Sequence, residues 1–272
     1  MNSLSNIQID IRVGTSGYSY EDWRQVFYPP NLPKGKFLDF YAQFFNTVEI
    51  NSTYYAIPSK QTVYYMARKT PPDFSFIVKT NKETTHVRRE NEEAIAQLIE
   101  ALKPMIDMQK FHGFLAQFPY SFKNNEANRR YLIQTRELLK DFPLFVEFRH
   151  RSWATEALYE FLREHQISYV NVDEPNLPNL LPPQGIATTQ LGYVRFHGRN
   201  AKNWWEGDNV SRYDYEYSEE ELRDWLPHIH QLVQNTYRTY IFFNNHPRGQ
   251  AIKNARQMLQ ILTEQLSIFT EG

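Results

Sequence analysis

The chain contains no cysteine, which excludes disulfides, thiolate zinc sites, Cys-ligated iron–sulfur clusters and cysteine nucleophiles. It also has almost no net charge. Thirty Lys+Arg against 31 Asp+Glu leave -1, which argues against bulk electrostatic binding to nucleic acid or an anionic membrane but leaves room for a local basic site. No apolar run approaches the roughly 18 residues of a membrane span, and the mean hydropathy is -0.63. The opening residues Met1–Asn6 lack the basic-then-apolar order of a secretory signal, so a cytoplasmic protein is expected. There is no low-complexity tract, long charge block or Gly/Ser linker. No strand-like run is followed by a G-x-G-x-x-G phosphate turn, since Gly14-Thr15-Ser16-Gly17 has the wrong spacing.

Aromatic residues, by contrast, are abundant, at 15% of the 272 residues. Rings fill cores, and the surplus can wall a pocket. A chain of this length buries about three quarters of its unfolded surface and needs no metal or disulfide staple.

One unit recurs: a short apolar run, a polar turn, then a helical pattern. The runs are Ile11–Thr15, Thr47–Asn51, Phe74–Thr80, Gly113–Phe118, Leu144–Arg149, Tyr169–Asp173, Tyr193–Gly198 and Thr239–Asn244. They read as strands buried on both faces. Helical patterns fall at Lys36–Phe45, Lys60–Lys69, Asn91–Leu102, Asn125–Lys140, Thr155–His165, Glu219–Asn235 and Gln250–Leu266. Parallel neighbours need crossovers, and eight strands in this order fit a closed (β/α)8 TIM barrel, predicted as a single domain over residues 1–272. The sixth crossover is expected to be a loop, because Glu174–Gly185 contains Pro175, Pro178, Pro182 and Pro183.

Polar residues recur with period two near the ends of these runs: Glu49 and Asn51, Lys79, Gln117, Glu147 and Arg149, Asn171 and Asp173, Arg195 and His197, then Asn244. In a barrel, alternate residues point inward and those at the carboxyl end face the active-site mouth. Two readings compete. With Arg12, the set could be a buried, mutually neutralised network, or it could be a ligand site. In the second reading Glu49 and Glu147 are the acid/base pair, Lys79 and Arg195 stabilise charge, and His197 is a further proton carrier. Asn51, Gln117, Arg149, Asp173 and Asn244 would hold substrate. Glu49, Glu147, Asp173 and His197 are also metal-binding types, with His150 and His246 nearby in the chain. The residue types allow a divalent metal, but no tight H-x-x-H or H-E-x-x-H spacing supports one, and no cofactor or metal ligand is assigned.

Two loops add candidates. His197-Gly198-Arg199 and Asn245-His246-Pro247-Arg248-Gly249 follow the last two strands, where barrels commonly bind phosphate; Arg199 and Arg248 would then fork an anion. The alternative is that the glycines simply make tight turns. Trp204-Trp205, with Tyr213, Tyr215 and Tyr217, lies in the long segment Arg199–Ser218, either a binding lid or a cap.

Several motifs together resemble one family. They are Gly14-Thr15-Ser16-Gly17-Tyr18 with Trp23 and Phe27-Tyr28-Pro29, Val48-Glu49-Ile50-Asn51-Ser52-Thr53-Tyr54-Tyr55, Gln117-Phe118-Pro119, Val146-Glu147-Phe148-Arg149-His150 with Trp153, Val194-Arg195-Phe196-His197-Gly198-Arg199, and Phe243-Asn244-Asn245-His246 with Ala251 and Asn254-Ala255. From about Ile11 to Leu262 the chain is similar to the YecE-like family, domain of unknown function 72. Tyr18 stands where many relatives have Trp. The resemblance implies a TIM barrel and supplies no reaction. Two functions therefore stand side by side. One is an enzyme acting by acid/base or hydrolytic chemistry, a paired-carboxylate glycoside hydrolase included, on a phosphorylated or other anionic small molecule. The other is a non-catalytic binder of a sugar, nucleotide or nucleic-acid end, the last disfavoured by the net charge. No membrane partner is expected.

Overall fold

The structure, a computed structural model, describes residues 10–89, 91–208 and 210–270; the opening residues on which the signal reading rests lie outside these. Among these residues nine strands form: β1 (Asp10–Thr15), β2 (Thr47–Ile50), β3 (Ser75–Lys79), β4 (Phe111–Gln117), β5 (Leu144–Glu147), β6 (Ser168–Tyr169), β7 (Asn171–Asp173), β8 (Leu191–Phe196) and β9 (Arg238–Phe243). The helices are α1 (Phe37–Tyr41), α2 (Lys60–Arg68), α3 (Asn91–Asp107), α4 (Glu126–Leu138), α5 (Glu156–Glu164), α6 (Glu219–Arg223), α7 (Leu226–Val233) and α8 (Gln250–Thr270). Their starts are written in side-chain oxygens. Ser59, Asn125 and Thr155 each accept a backbone N–H from the first turn of α2, α4 and α5, and Ser218 with Glu221 closes a capping box on α6. The expected helix Glu219–Asn235 is split after Arg223, where Pro227 has no N–H to continue the ladder. Segment 174–190, with its four prolines, forms no helix.

The expected closed (β/α)8 barrel is not what forms. The strands hydrogen-bond as two parallel sheets, ordered β1-β9-β8-β7 and β2-β3-β4-β5-β6. Side chains take over the backbone groups that closure would pair. Between β1 and β2, the Tyr41 hydroxyl accepts from the Thr15 N–H at 2.9 Å and donates to the Thr47 carbonyl at 3.1 Å. Only the single bridge Ser16–Glu49 joins these edges. They approach so closely that a Cβ on Gly14 would lie 2.4 Å from the Thr47 oxygen. At the other break, Val170 interrupts the strand between β6 and β7. There Thr188 Oγ1 accepts from the Tyr169 N–H, and Asn171 pairs with both the N–H and the carbonyl of Ile186.

Both sheets contribute to one continuous cluster of buried side chains, rich in rings such as Phe76, Phe114, Phe145, Tyr193 and Phe242. All strands run the same way, so their carboxyl ends share one side of the molecule.

Candidate functional site

Arg195 on β8 is the centre of a buried ion network. It is 1% exposed, and its guanidinium spans both sheets. Nη2 donates to Glu49 Oε1 at 2.7 Å and Nη1 to Glu147 Oε2 at 2.5 Å. Glu49, on β2, also accepts from the Tyr193 hydroxyl at 2.6 Å. Glu147, at the end of β5, pairs with Arg149 Nε at 2.5 Å, and Arg149 lies 3.8 Å from Glu174. Burial pushes the Glu147 carboxyl up, but the charges of Arg149 and Arg195 outweigh it and hold it well below the usual range. Burial opposes the Arg195 charge too, and Glu147 and Glu49 more than compensate. Glu174 receives less help: burial dominates and raises it to about 8.

His197 is fully buried beside this network. Asn244 Nδ2 donates to its Nδ1 at 3.1 Å, and its Nε2 lies 3.2 Å from Glu147 Oε1. Burial and the charge of Arg149 push it down to about 3, so it is a neutral imidazole at neutral pH.

Above the network opens a cavity of about 540 Å³ at the strand carboxyl ends. Lys79, Arg195 and Arg212 supply its cationic wall, and Asn51, Gln117 and Asn244 its amides. Tyr20, Tyr54, Tyr55 and Tyr213, with His86 and His246, supply rings. Among the described lining residues there is no Asp or Glu. Lys79, the last residue of β3, donates to Gln117 Oε1 at 2.8 Å and sits 4.7 Å from the centroid of the Tyr54 ring. No carboxylate among the described residues pairs with it. Burial, reinforced by the charge of Arg195 and only partly offset by Glu147 and Glu49, lowers it to about 7. Three polar atoms of the wall are buried without hydrogen-bond partners: Arg195 Nε, Arg212 Nε and Asn51 Oδ1.

The predicted residues thus fall into three groups. Lys79, Gln117, Asn51, Arg195 and Asn244 line the cavity. Glu49, Glu147, Arg149 and His197 belong to the network and are not among its lining residues. Asp173, Arg199, Trp204 and Arg248 lie elsewhere. Asp173 accepts from Arg199, Tyr217 and Trp225, tying the long 199–218 segment to β7. Arg199 also reaches Glu221. Arg248 pairs with Asp214 and is largely exposed. The two arginines expected to fork an anion are therefore held by separate carboxylates of the chain itself. Trp204 is buried over Arg149 and beside His197, packed against the network and outside the cavity lining. Arg12 bonds Asp10 and the Asp73 carbonyl at the amino ends of the strands, away from the site.

Among the described residues no group of three or more His, Asp or Glu side chains could hold a metal ion. Arg195 stands between Glu49 and Glu147, and Asp173 is enclosed by its own donors. Sequence reasoning passed over Tyr54, His86, Arg212 and Glu174. Tyr54 lies three residues beyond Asn51 in the chain. His86 arrives on a one-turn π-helix, Glu83–Val87, that no periodicity marks. Arg212 lay within the aromatic segment, adjacent to Tyr213.

Fold and site define a parallel α/β protein with a cationic, tyrosine-walled cavity at its strand carboxyl ends. The model of the family "Protein of unknown function DUF72" matches residues 12–271, and the chain belongs to that family. It is similar to the UPF0759 protein YunF of Bacillus subtilis, with 32% identity over 93% of this chain and 94% of that one. Among solved structures, a DUF72 family protein from Thermotoga maritima is 45% identical with a TM-score of 0.87, covering 93% of this chain and 99% of the other. One from Enterococcus faecalis is 30% identical with a TM-score of 0.83, covering 93% and 95%. Among the described residues no helix is long and apolar enough to cross a membrane.

Proposed function

We propose that the cavity is the active site of an enzyme acting by acid/base chemistry on an anionic small molecule, with Lys79 as the proton-transferring group. One observation carries the reading: the Lys79 amine sits in a cavity without a carboxylate partner, which keeps its proton loosely held at neutral pH. A base poised near the working pH is the most effective kind, and desolvated lysines acquire this property. Arg212 and Arg195, both in the cavity wall, supply positive charge for the anion. Glu49 and Glu147, engaged by Arg195, act by holding it in place.

The second reading, a non-catalytic binder of a sugar or nucleotide, draws on the four tyrosines of the wall, which suit stacking. A panel of phosphate esters and carboxylates separates the two. Turnover by the wild type, lost in Lys79→Met and rising with pH through about 7, is the expected result. Thermal stabilisation by a panel member that is recovered unchanged, with no turnover of any, would replace the enzyme by the binder.

A further inference from the structure

Resting on the same site, we infer that Lys79 is a nucleophile as well as a base, and that the cavity takes an anionic aldehyde or ketone which it joins through an imine. The geometry is that of an amine that lines a cavity with no carboxylate paired to it among the described residues. Among the described residues it donates to the neutral Gln117 Oε1, and it rests on the Tyr54 ring. Lys79 lines the cavity together with Arg195 and Arg212, whose buried Nε atoms have no hydrogen-bond partner among the described residues. A carbonyl compound with a carboxylate or phosphate can therefore set its charge on the arginines and its carbonyl carbon against the amine.

The step balances without any further reagent. The Nζ lone pair forms the C–N bond as the carbonyl π pair moves to oxygen, which takes up a proton to give a carbinolamine. Nitrogen loses its proton to solvent, the hydroxyl leaves as water on protonation, and the C=N bond forms. Hydrolysis reverses each step. The groups that face Lys79 set how much of it is unprotonated. Arg195, Arg149 and His86 add no negative charge; Glu147 and Glu49 do, but both are held by the arginines. At neutral pH about half of the amine is then free, roughly a thousandfold more than for an ordinary lysine.

The test is reductive trapping of the folded wild type with glyoxylate and sodium cyanoborohydride, followed by peptide mapping. Lys79 should be modified at least about tenfold faster than any other lysine at pH 7.5. Its rate should fall on acidification through about 7, inorganic phosphate should slow it, and uncharged acetaldehyde should lose the preference. Modification of Lys79 no faster than surface lysines overturns the imine. A phosphate thermal shift, measured in the wild type and in Arg212→Ala, keeps the two readings apart. With Lys79 unlabelled, an Arg212-dependent shift leaves the anion site standing and removes only the imine. If the shift is absent as well, both fall.

Discussion

Replacing Lys79 by methionine should make the protein more stable, and by an amount that depends on pH. In the folded chain burial lowers the amine from 10.5 to about 7; in the unfolded chain it keeps its ordinary value. At about 1.4 kcal/mol for each tenfold change, the folded state bears up to about 5 kcal/mol for the proton below pH 7. Water in the cavity reduces this, and lost contacts with Gln117 and Tyr54 subtract more. A net gain of about 2 kcal/mol at pH 6 is the reasonable figure. The sign follows from linkage. Between pH 7 and 10.5 the unfolded lysine holds a proton that the folded one has shed, so wild-type stability rises with pH relative to the variant. The advantage of Lys79→Met should therefore be full below pH 7 and fade by about pH 10. Urea unfolding of both proteins at pH 6, 8 and 10 measures it. A variant less stable at pH 6, or a difference that stays flat with pH, would refute a desolvated amine and remove the basis for both roles assigned to Lys79.

Two substitutions probe what surrounds it. Glu147→Gln removes the shared anion of Arg149 and Arg195, which are both buried, and should cost about 3–5 kcal/mol in urea unfolding; a loss below 1 kcal/mol would mean the arginines find other partners. Tyr41→Phe leaves the Thr15 N–H and the Thr47 carbonyl without their shared hydroxyl and should cost about 1–3 kcal/mol. In that variant the Thr15 amide should exchange hydrogen faster, and unchanged protection would show that the two edges close on each other instead.

The convergence of Glu49, Glu147 and Arg195 was legible because a strand has period two, so alternate residues near one end share a face. Their division of labour was not. Whether a carboxylate faces a ligand or an arginine depends on which strands meet and in what register, and here β2, β5 and β8 bring two carboxylates to one guanidinium. The same limit explains the closed barrel that was expected. Run lengths and crossovers show parallel order, but the opening between β1 and β2 depends on a tyrosine from α1, whose hydroxyl stands where a ladder bond would be. Arg199 and Arg248 looked free because Asp173 and Asp214, which hold them, lie 26 and 34 residues away in the chain.

Charge accounting explains why the cavity is left cationic. Glu49 and Glu147 balance Arg195 and Arg149. His197 is neutral, and Glu174, raised to about 8, keeps its proton at neutral pH and adds no negative charge. The network is thus closed on itself, and among the described residues Lys79 and Arg212 line the cavity without an acid paired to them. An incoming anion brings the missing charge, but where it rests decides the chemistry. Held against Lys79, it would raise the affinity of the amine for its proton and quench both base and nucleophile. Held by Arg212, with the charge of Arg195 in the same wall, it leaves the amine largely neutral and within reach of the rest of the molecule. The separation of an always-charged guanidinium from a titrating amine is what allows one small cavity to bind an anion and still present a reactive nitrogen.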